Sequence, residues 1–180
     1  MILETPRLRI RELTEEDAPF IVELLNDEAF LRFIGDRQVR TLDDARAYVR
    51  NGPLASYAAH GYGLWLVESR DTTAPAGLCG LLRRDYLEDP DIGFAFLPAF
   101  RARGYGREAA EAVLAHARSR LGVGTVAAIV SPANTASISL LEKLGFRYER
   151  PVEVPGDASG ILLYMLRAPA PPASAIAPAS

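Results

Sequence analysis

The sequence predicts an α/β (α+β) fold in which a mixed β-sheet of about six to seven strands is flanked by about four helices. Short apolar runs at 63–68, 77–82 and 92–97 are separated by turn residues, a pattern typical of strands. A helical segment over about 105–120 leads to another apolar run at 126–130. We therefore expect a right-handed crossover that makes the two flanking strands parallel. Apolar residues at helical spacing near the N-terminus predict two further helices.

The N-terminal elements begin with a strand and continue with those two helices. Leu8 and Ile10 alternate with arginines, which predicts an edge strand with one buried face. Capping-box spacing predicts one helix that begins at Thr14 and another that begins at Thr41. The second helix is expected to end near Gly52. The apolar stripe of the first helix consists of Ala18, Ile21, Leu24 and Leu25.

The C-terminal residues are predicted to complete the sheet. Strands over about 146–154 and 161–166 surround a turn at 155–157. The remaining residues are rich in alanine and proline and lack the apolar content that orders a segment, so we expect a flexible tail. The expected organisation is one domain over 1–167 and a tail over 168–180.

Composition excludes several classes of function. A chain of 180 residues with 49% hydrophobic content can bury the core of one domain. Its net charge of −3 argues against nucleic-acid binding, which needs a basic face. The sequence has no charged and apolar leader and no apolar run near the ~20 residues of a membrane span. We therefore expect a soluble, cytoplasmic protein without a membrane partner.

Metal and thiol chemistry have little support in the sequence. Cys79 is the only cysteine and lies in an apolar strand, which favours a buried, inert thiol over a disulfide or a nucleophile. His60 and His116 are the only histidines, and they are far apart without nearby carboxylate partners. We therefore expect no metal site.

A basic, glycine-spaced turn joins the strand at 92–97 to the helix at 105–120. A helix start exposes unpaired backbone N–H groups at positive potential, and glycine removes the Cβ atoms that would keep a ligand away. This pattern indicates a phosphate or pyrophosphate site, with a basic surface loop as the alternative. The turn lacks the P-loop lysine and the third glycine of a dinucleotide fingerprint. Its residues are Phe100, Arg101, Ala102, Arg103, Gly104, Tyr105, Gly106 and Arg107.

A second motif follows the strand at 126–130. Asn134 is suited to cap a helix, and Gly145 followed by Phe146 is suited to end it. Together the two motifs resemble those of the GNAT N-acetyltransferase superfamily. Residues 3–11 resemble the opening of its RimJ/RimL-like branch, which acetylates protein N-termini and, in many relatives, other amines. The R/Q-x-x-G-x-G/A motif is matched by Arg101, Gly104 and Gly106, and the N-x-x-S…L-G-F motif by Asn134, Ser137, Leu144, Gly145 and Phe146.

The resemblance implies acetyl-CoA as co-substrate and a sheet whose two parallel strands splay apart. It places the pyrophosphate on residues 101–107 and the pantetheine arm against the backbone of Phe96 and Leu97. A backbone N–H near Phe96 is then expected to polarise the thioester carbonyl. Asn134 is expected to hold the pantetheine amide, to cap its helix, or to do both. Ser137, three residues later, is expected to contribute to the same cofactor-binding site.

The catalytic groups implied by the resemblance depart from the commonest pattern. Many relatives have a tyrosine acid in the second-motif helix, where this chain has Leu141. RimJ/RimL-like relatives use the serine of N-x-x-S, so Ser137 is our hypothesis for the group that protonates or hydrogen-bonds the leaving sulfur; an ordinary helix serine is the alternative. Glu88, Asp89 and Asp91 form an acidic lip that can supply a general base, and a solvated turn is the alternative.

The resulting hypothesis is an acetyl-CoA-dependent N-acetyltransferase that acts by direct attack in a ternary complex. The missing tyrosine leaves a non-catalytic acyl-CoA-binding or regulatory module as the alternative. The expected acceptor is a primary amine, on a protein N-terminus or on a small molecule, selected by residues 14–60 and 150–160. The acidic lip favours a cationic acceptor. An exposed sheet edge is compatible with a homodimer.

Overall fold

The described residues form one mixed sheet of eight strands. The computed structural model describes residues 2–157 and 160–167, so the tail predicted at 168–180 lies outside the described residues. The strands are β1 (Leu3–Glu4), β2 (Leu8–Arg11), β3 (Leu64–Ser69), β4 (Pro75–Leu82), β5 (Asp91–Phe96), β6 (Thr125–Val130), β7 (Arg147–Pro151) and β8 (Leu162–Arg167). Their order in the sheet is β1-β2-β3-β4-β5-β6-β8-β7.

Six α-helices of the described residues pack on this sheet. The helix predicted at 105–120 has those bounds, and Asn134 caps the last helix by accepting a hydrogen bond from the Ser137 N–H at 3.1 Å. Gly145 ends that helix at a φ of +92°, and the Phe146 N–H donates back to the Leu141 carbonyl. The helices are α1 (Ala18–Leu25), α2 (Glu28–Phe33), α3 (Leu42–Val49), α4 (Ala55–His60), α5 (Tyr105–Arg120) and α6 (Thr135–Lys143).

The parallel pair at the centre of the sheet is β5 and β6, as predicted. The two strands are in register at one residue pair only, Asp91 with Ala127. Beyond this pair no further ladder joins them within the described residues, whereas β4 and β8 pair along the outer sides of β5 and β6. The sheet therefore opens as a V towards the carboxyl ends of its two parallel strands.

Helices cover both faces of the sheet. Trp65 and Val67 of β3 pack in the core under α5, whereas Leu66, between them, packs in a second core with α1, α2 and α3. This alternation is what strand geometry requires, since successive side chains point to opposite faces. Helix α5 contributes Ala109, Ala110, Val113, Leu114 and Ala117 to the first core.

Three features differ from the sequence predictions. The sheet has more strands than the six to seven expected, because Thr5 and Pro6 turn the chain so that the short strand β1 pairs with β2. Strand β2 is therefore not the edge strand that the sequence predicted. The short helix α2 was not predicted. The helix after Thr41 does not end near Gly52, since a π-type turn over Arg50–Leu54 accommodates the missing N–H of its proline and leads into α4.

Candidate active site

The backbone between β5 and α5 presents a row of unpaired N–H groups. A short 3₁₀ turn at Pro98–Phe100 follows β5, and Gly104 takes a φ of +80° at the N-cap of α5. Among the described residues, no acceptor receives a hydrogen bond from the backbone N–H groups of residues 102–107. These groups lie at the positive end of a helix of 16 residues, so the turn is suited to bind an anion.

The two glycines of the turn have different roles. At Gly104 the positive φ itself requires glycine, and an added Cβ would lie 3.2 Å from an Nη of Arg7. At Gly106 an added Cβ would meet only Leu140 Cδ2 at 3.5 Å and Phe96 Cε2 at 3.6 Å, which are ordinary contacts. The protein has room for a Cβ at position 106. Glycine there keeps the approach to the N–H groups open.

The three arginines of the turn are not equally available to a phosphate. Arg101 donates from Nε to the Phe96 carbonyl at 2.8 Å and forms an ion pair with Asp27. Arg107 pairs with Glu111 one helical turn later at 2.7 Å. Arg103 has no carboxylate partner within the described residues, and its guanidinium carbon lies 5.2 Å from the centre of the Tyr105 ring. Arg103 is therefore the arginine of this turn whose charge is least neutralised.

Glu108 braces the start of α5 against the N-terminal segment. Its carboxylate accepts hydrogen bonds from the Thr5 hydroxyl at 2.6 Å, the Arg7 N–H at 2.9 Å and the Arg7 Nε at 2.6 Å. The Arg7 guanidinium also lies over the Tyr105 ring, at 4.6 Å from its centre. Sequence reasoning missed these residues, because the partners are about a hundred positions apart. The only local signal was an acidic residue in the first turn of a helix.

The edge of β5 that faces the V carries free backbone N–H groups. The Leu97 N–H donates to the Ala76 carbonyl at 2.9 Å, on the β4 side. Because backbone groups alternate along a strand, the amides of Phe94 and Phe96 point to the other side, where β6 has already diverged. The Phe96 N–H therefore points into the V, and its role towards a thioester stays a prediction. Leu97 differs, since its carbonyl also has a partner, the Phe100 N–H.

Helix α6 begins on the other side of the V, directly after β6. Ser137 is half-buried in its first turn, and its hydroxyl has no hydrogen-bond partner within the described residues. Since this oxygen is not among the fully buried unpaired atoms, it keeps some solvent contact. Leu141, one turn later, is 2% exposed and belongs to the core under α5. No acid group therefore stands at that position.

The three candidate carboxylates do not form one exposed lip. Glu88 is exposed and Asp89 half-buried, but Asp91 is only 1% exposed, and both of its oxygens accept from Arg84 Nε at 3.0 Å. Burial raises the pKa of Asp91, while the guanidinium of Arg84 opposes the shift. The chain between β4 and β5 folds Arg84 back over the start of β5, so Asp91 is enclosed rather than solvated.

A family model described as an acetyltransferase (GNAT) domain matches residues 7–147. The chain belongs to the GNAT acetyltransferase family. The splayed strands and the glycine turn are thus those of a GNAT domain. Two structures similar to it in fold, at 18% and 17% identity, were solved with CoA bound.

Three known proteins illustrate what this GNAT protein is similar to. YoaA of Bacillus subtilis (strain 168), an uncharacterized N-acetyltransferase, is 29% identical over 150 residues, which are 82% of this chain and 84% of YoaA. RimL, a ribosomal L7/L12 alpha-N-protein acetyltransferase solved with coenzyme A, has a TM-score of 0.79 at 18% identity, with 93% and 97% of the chains covered. A spermidine N-acetyltransferase from Vibrio cholerae, solved with CoA and spermine, has a TM-score of 0.75 at 17% identity, with 91% and 96% covered.

The residues of the turn fit a bound pyrophosphate. Unpaired N–H groups over 102–107, the open approach at Gly106 and the charge of Arg103 all favour an anion there. Within residues 2–157 and 160–167 no helix has the length and apolar character needed to cross a membrane. The same residues contain no group of three or more histidine, cysteine or carboxylate side chains that could hold a metal ion.

Proposed function

We propose that this GNAT protein transfers the acetyl group of acetyl-CoA to a primary amine by direct attack within a ternary complex. The observation that carries the proposal is the combination of unpaired N–H groups over 102–107 with the free amides of β5 at the V. Acetyl-CoA supplies an activated thioester. The protein holds both substrates in one orientation, and this proximity accounts for much of the rate enhancement.

The proposed roles of the residues follow from their positions. The Phe96 N–H donates a hydrogen bond to the oxygen that becomes negative in the transition state, which contributes about 3 kcal/mol when the cleft is dry. Ser137 donates a hydrogen bond or a proton to the leaving sulfur from the opposite side of the V. Asn134 orients the start of α6 by accepting the Ser137 N–H.

The general base is proposed to be Asp91 or Glu88, acting through water. Asp91 has the pKa shift that suits a base, because burial raises its pKa towards neutrality. Its carboxylate is bound to Arg84, however, and the Phe94 amide lies three residues further along β5, about 10 Å away. We therefore propose that Asp91 would act on the amine through water and not by direct contact.

A non-catalytic acyl-CoA-binding module is the second candidate. The observation that favours it is Leu141, a buried apolar residue where many relatives have a tyrosine acid. The two candidates differ in one result: only an enzyme releases free CoA thiol when acetyl-CoA and an amine are both present. For the enzyme candidate, we further propose that the protein belongs to the RimJ/RimL-like branch. Its acceptor would then be a primary amine on a protein N-terminus or on a small molecule.

Thermal unfolding with and without acetyl-CoA tests the cofactor site first. Ligand at about 100 times its Kd should add roughly 2.7 kcal/mol of stability and raise Tm by about 5–11 °C. Gly106→Val should abolish this rise, because its extra methyl groups reach into the ligand approach. Gly106→Ala is the matched control, since the Cβ is accommodated in the protein and the family motif accepts alanine.

The outcomes separate the candidates. A rise of Tm that survives in Gly106→Ala and is lost in Gly106→Val supports the cofactor site. Release of CoA thiol with any member of a panel of primary amines, measured on the same protein, then establishes transfer. Binding without thiol release supports the non-catalytic module instead. No change of Tm at millimolar acetyl-CoA would reject both.

A further inference from the structure

A polar cluster lies on the sheet face opposite α5, beside the start of β5. Phe94 and Phe96 pack in the core under α5, whereas Ala95 packs in the core with α1, α2 and α3. By strand alternation, Asp91 points to the same face as Ala95. Arg84 reaches this face from the chain between β4 and β5 and binds the Asp91 carboxylate.

Arg84 uses only part of its hydrogen-bonding capacity on Asp91. Both bonds, each of 3.0 Å, come from Nε, and the phenol oxygen of Tyr86 also interacts with the guanidinium, which leaves N–H bonds of the two Nη atoms without an acceptor among the described residues. The side chain is three-quarters buried, with an exposed fraction of 25%. A guanidinium held rigidly at one edge, with N–H bonds of its other edge unpaired, is a geometry that recognises carboxylate or phosphate oxygens.

The hydroxyl of Tyr86 lacks a partner in the same place. Among the described residues, its Oη is the fully buried side-chain polar atom without a hydrogen bond. The Arg84 guanidinium carbon lies 5.9 Å from the centre of the Tyr86 ring. A buried unpaired hydroxyl is unfavourable, and such groups in native proteins call for an explanation such as a ligand. An oxygen acceptor bound at the Nη edge of Arg84 would satisfy both groups.

Two further polar side chains, Tyr48 and Arg37, belong to the surroundings of Arg84. Tyr48 of α3 has a hydroxyl with no hydrogen bond within the described residues. Burial raises the pKa of this phenol, and the positive charges of Arg37 and Arg84 oppose the shift. Arg37 is exposed and has no ion pair in the part of the chain that the structure describes.

We propose that Arg84 and Tyr86 bind an anionic oxygen group, a carboxylate or a phosphate, that the amine acceptor carries at the end remote from its amine. The proposal rests on the acetyl transfer proposed above and names its substrate class. It replaces the cationic acceptor expected from an acidic lip, because the buried member of that lip, Asp91, is already neutralised by Arg84. Besides its proposed role as a base, Asp91 then holds the guanidinium in place.

The length of the acceptor follows from the strand. Asp91 precedes Phe94 by three residues and Phe96 by five, which corresponds to about 10 and 17 Å along β5. The amine has to reach the thioester at these amides while its anionic group contacts Arg84. An α-amino acid is too short for this span. An ω-amino acid or ω-amino phosphate with a chain of several carbons fits it.

The test compares ω-amino acids of increasing chain length with the matching ω-amino amides, with CoA thiol release as the readout. Both series have the same remote amine, so their chemical reactivity is equal. At the best chain length the acid should have a KM about 10- to 100-fold below that of the amide, with equal kcat, because the anion is bound equally in the ground and transition states. ω-Amino phosphates against ω-amino alcohols then distinguish phosphate from carboxylate.

Variants test whether this cluster is responsible. Arg84 itself is unsuitable, since its removal leaves a buried carboxylate without a partner. Arg37→Gln and Tyr86→Phe should each reduce the preference for the acid by raising its KM towards that of the amide. Arg118→Gln and Tyr148→Phe, at exposed positions elsewhere, are the matched controls and should keep the full preference.

The possible results are distinct. Equal KM values for acid and amide at every chain length, or a preference for diamines, would overturn the anionic acceptor and leave acetyl transfer intact. Thiol release with none of these acceptors and none of the wider amine panel would reject acetyl transfer and this inference with it. A preference for the acid that both variants retain would place the anion site elsewhere.

Discussion

Ser137 is the residue whose proposed role is easiest to separate from a structural one. Its backbone N–H bonds to Asn134, but its hydroxyl has no partner within the described residues. Removing the hydroxyl therefore costs the fold little. We predict that Ser137→Ala lowers kcat by about 100-fold, the lower end for a general acid, because a thiolate leaves without full protonation. KM for acetyl-CoA and the Tm should be unchanged.

Ser139→Ala is the matched control for this prediction. Ser139 is exposed and lies two residues further along α6, on another side of the helix. Its replacement should leave kcat unaltered in the thiol-release assay. Equal kcat values for the Ser137 and Ser139 variants would mean that Ser137 is an ordinary helix residue and that the leaving thiolate takes its proton from solvent.

Single residues were predictable from the sequence where their role depends on near neighbours. Asn134 and Gly145 were placed correctly because helix caps are decided within about one turn of chain. Arg101 was expected to charge the turn, but its ion-pair partner Asp27 is 74 positions away and not visible in any local pattern. The burial of Asp91 was missed for a related reason, since it depends on how the chain after β4 folds back.

At the scale of elements, Arg101 and Asp27 link the turn before α5 to the start of α2. Asp27 caps α2 by accepting hydrogen bonds from the N–H groups of Ala29 and Phe30, and it also pairs with Arg101. Arg101 in turn bonds the Phe96 carbonyl at 2.8 Å. The link therefore joins α2, the anion-binding turn and the end of β5, and we expect it to position the turn for the pyrophosphate.

We predict that Asp27→Asn and Arg101→Gln each raise KM for acetyl-CoA about fivefold, corresponding to about 1 kcal/mol for a partly exposed pair. Asparagine still caps α2, so the Tm of Asp27→Asn should fall little. The double variant should be no worse than Arg101→Gln alone, because the two residues act as one unit. Additive effects on KM would contradict this. The exposed pair Arg46 and Asp43 on α3 supplies control variants without effect on KM.

Helices and strands were predicted well where a long apolar pattern marks them in the sequence. They were predicted poorly where only pairing with another segment of the chain defines them. Helix α5 has its predicted bounds, since its apolar face and glycine start are both in the sequence. The two-residue strand β1 is too short for any periodic pattern, and only its pairing with β2 defines it. The continuation through Pro53 into α4 was missed because a π-type turn tolerates a residue that usually ends a helix.

For the whole molecule, three half-buried or buried carboxylates tie distant parts of the chain together. Burial acts to raise their pKa values, but hydrogen bonds outweigh it: Arg11 bonds Asp17, Arg101 bonds Asp27, and Thr5 and Arg7 bond Glu108. The pKa of each carboxyl is therefore below its ordinary value, 3.8 for aspartate and 4.5 for glutamate. In the sequence these residues were visible only as members of caps and first turns.

The sign of the pH dependence follows from these directions. A carboxyl whose pKa is lower in the folded than in the unfolded state stabilises the fold above the unfolded pKa, and this contribution is lost as pH falls through the folded pKa. Asp91 acts in the opposite sense, since burial raises its pKa despite Arg84, so protonation between its unfolded and folded values favours the fold. We therefore expect stability to fall steeply only below about pH 4, where the three carboxylates become protonated.

Asp17 makes this expectation testable, because its side chain is 9% exposed and accepts bonds of 2.8 and 2.9 Å from the two Nη atoms of Arg11. We predict that Asp17→Asn loses about 1–3 kcal/mol of unfolding free energy at pH 7, measured by urea denaturation. The difference from the unmodified protein should shrink as pH falls below about 4, since protonation removes the same charge from Asp17. Asp71→Asn, in the exposed turn between β3 and β4, is the control and should match the unmodified protein throughout. A difference at Asp17 that stays constant down to pH 2 would show that the ion pair with Arg11 contributes no charge-dependent stability.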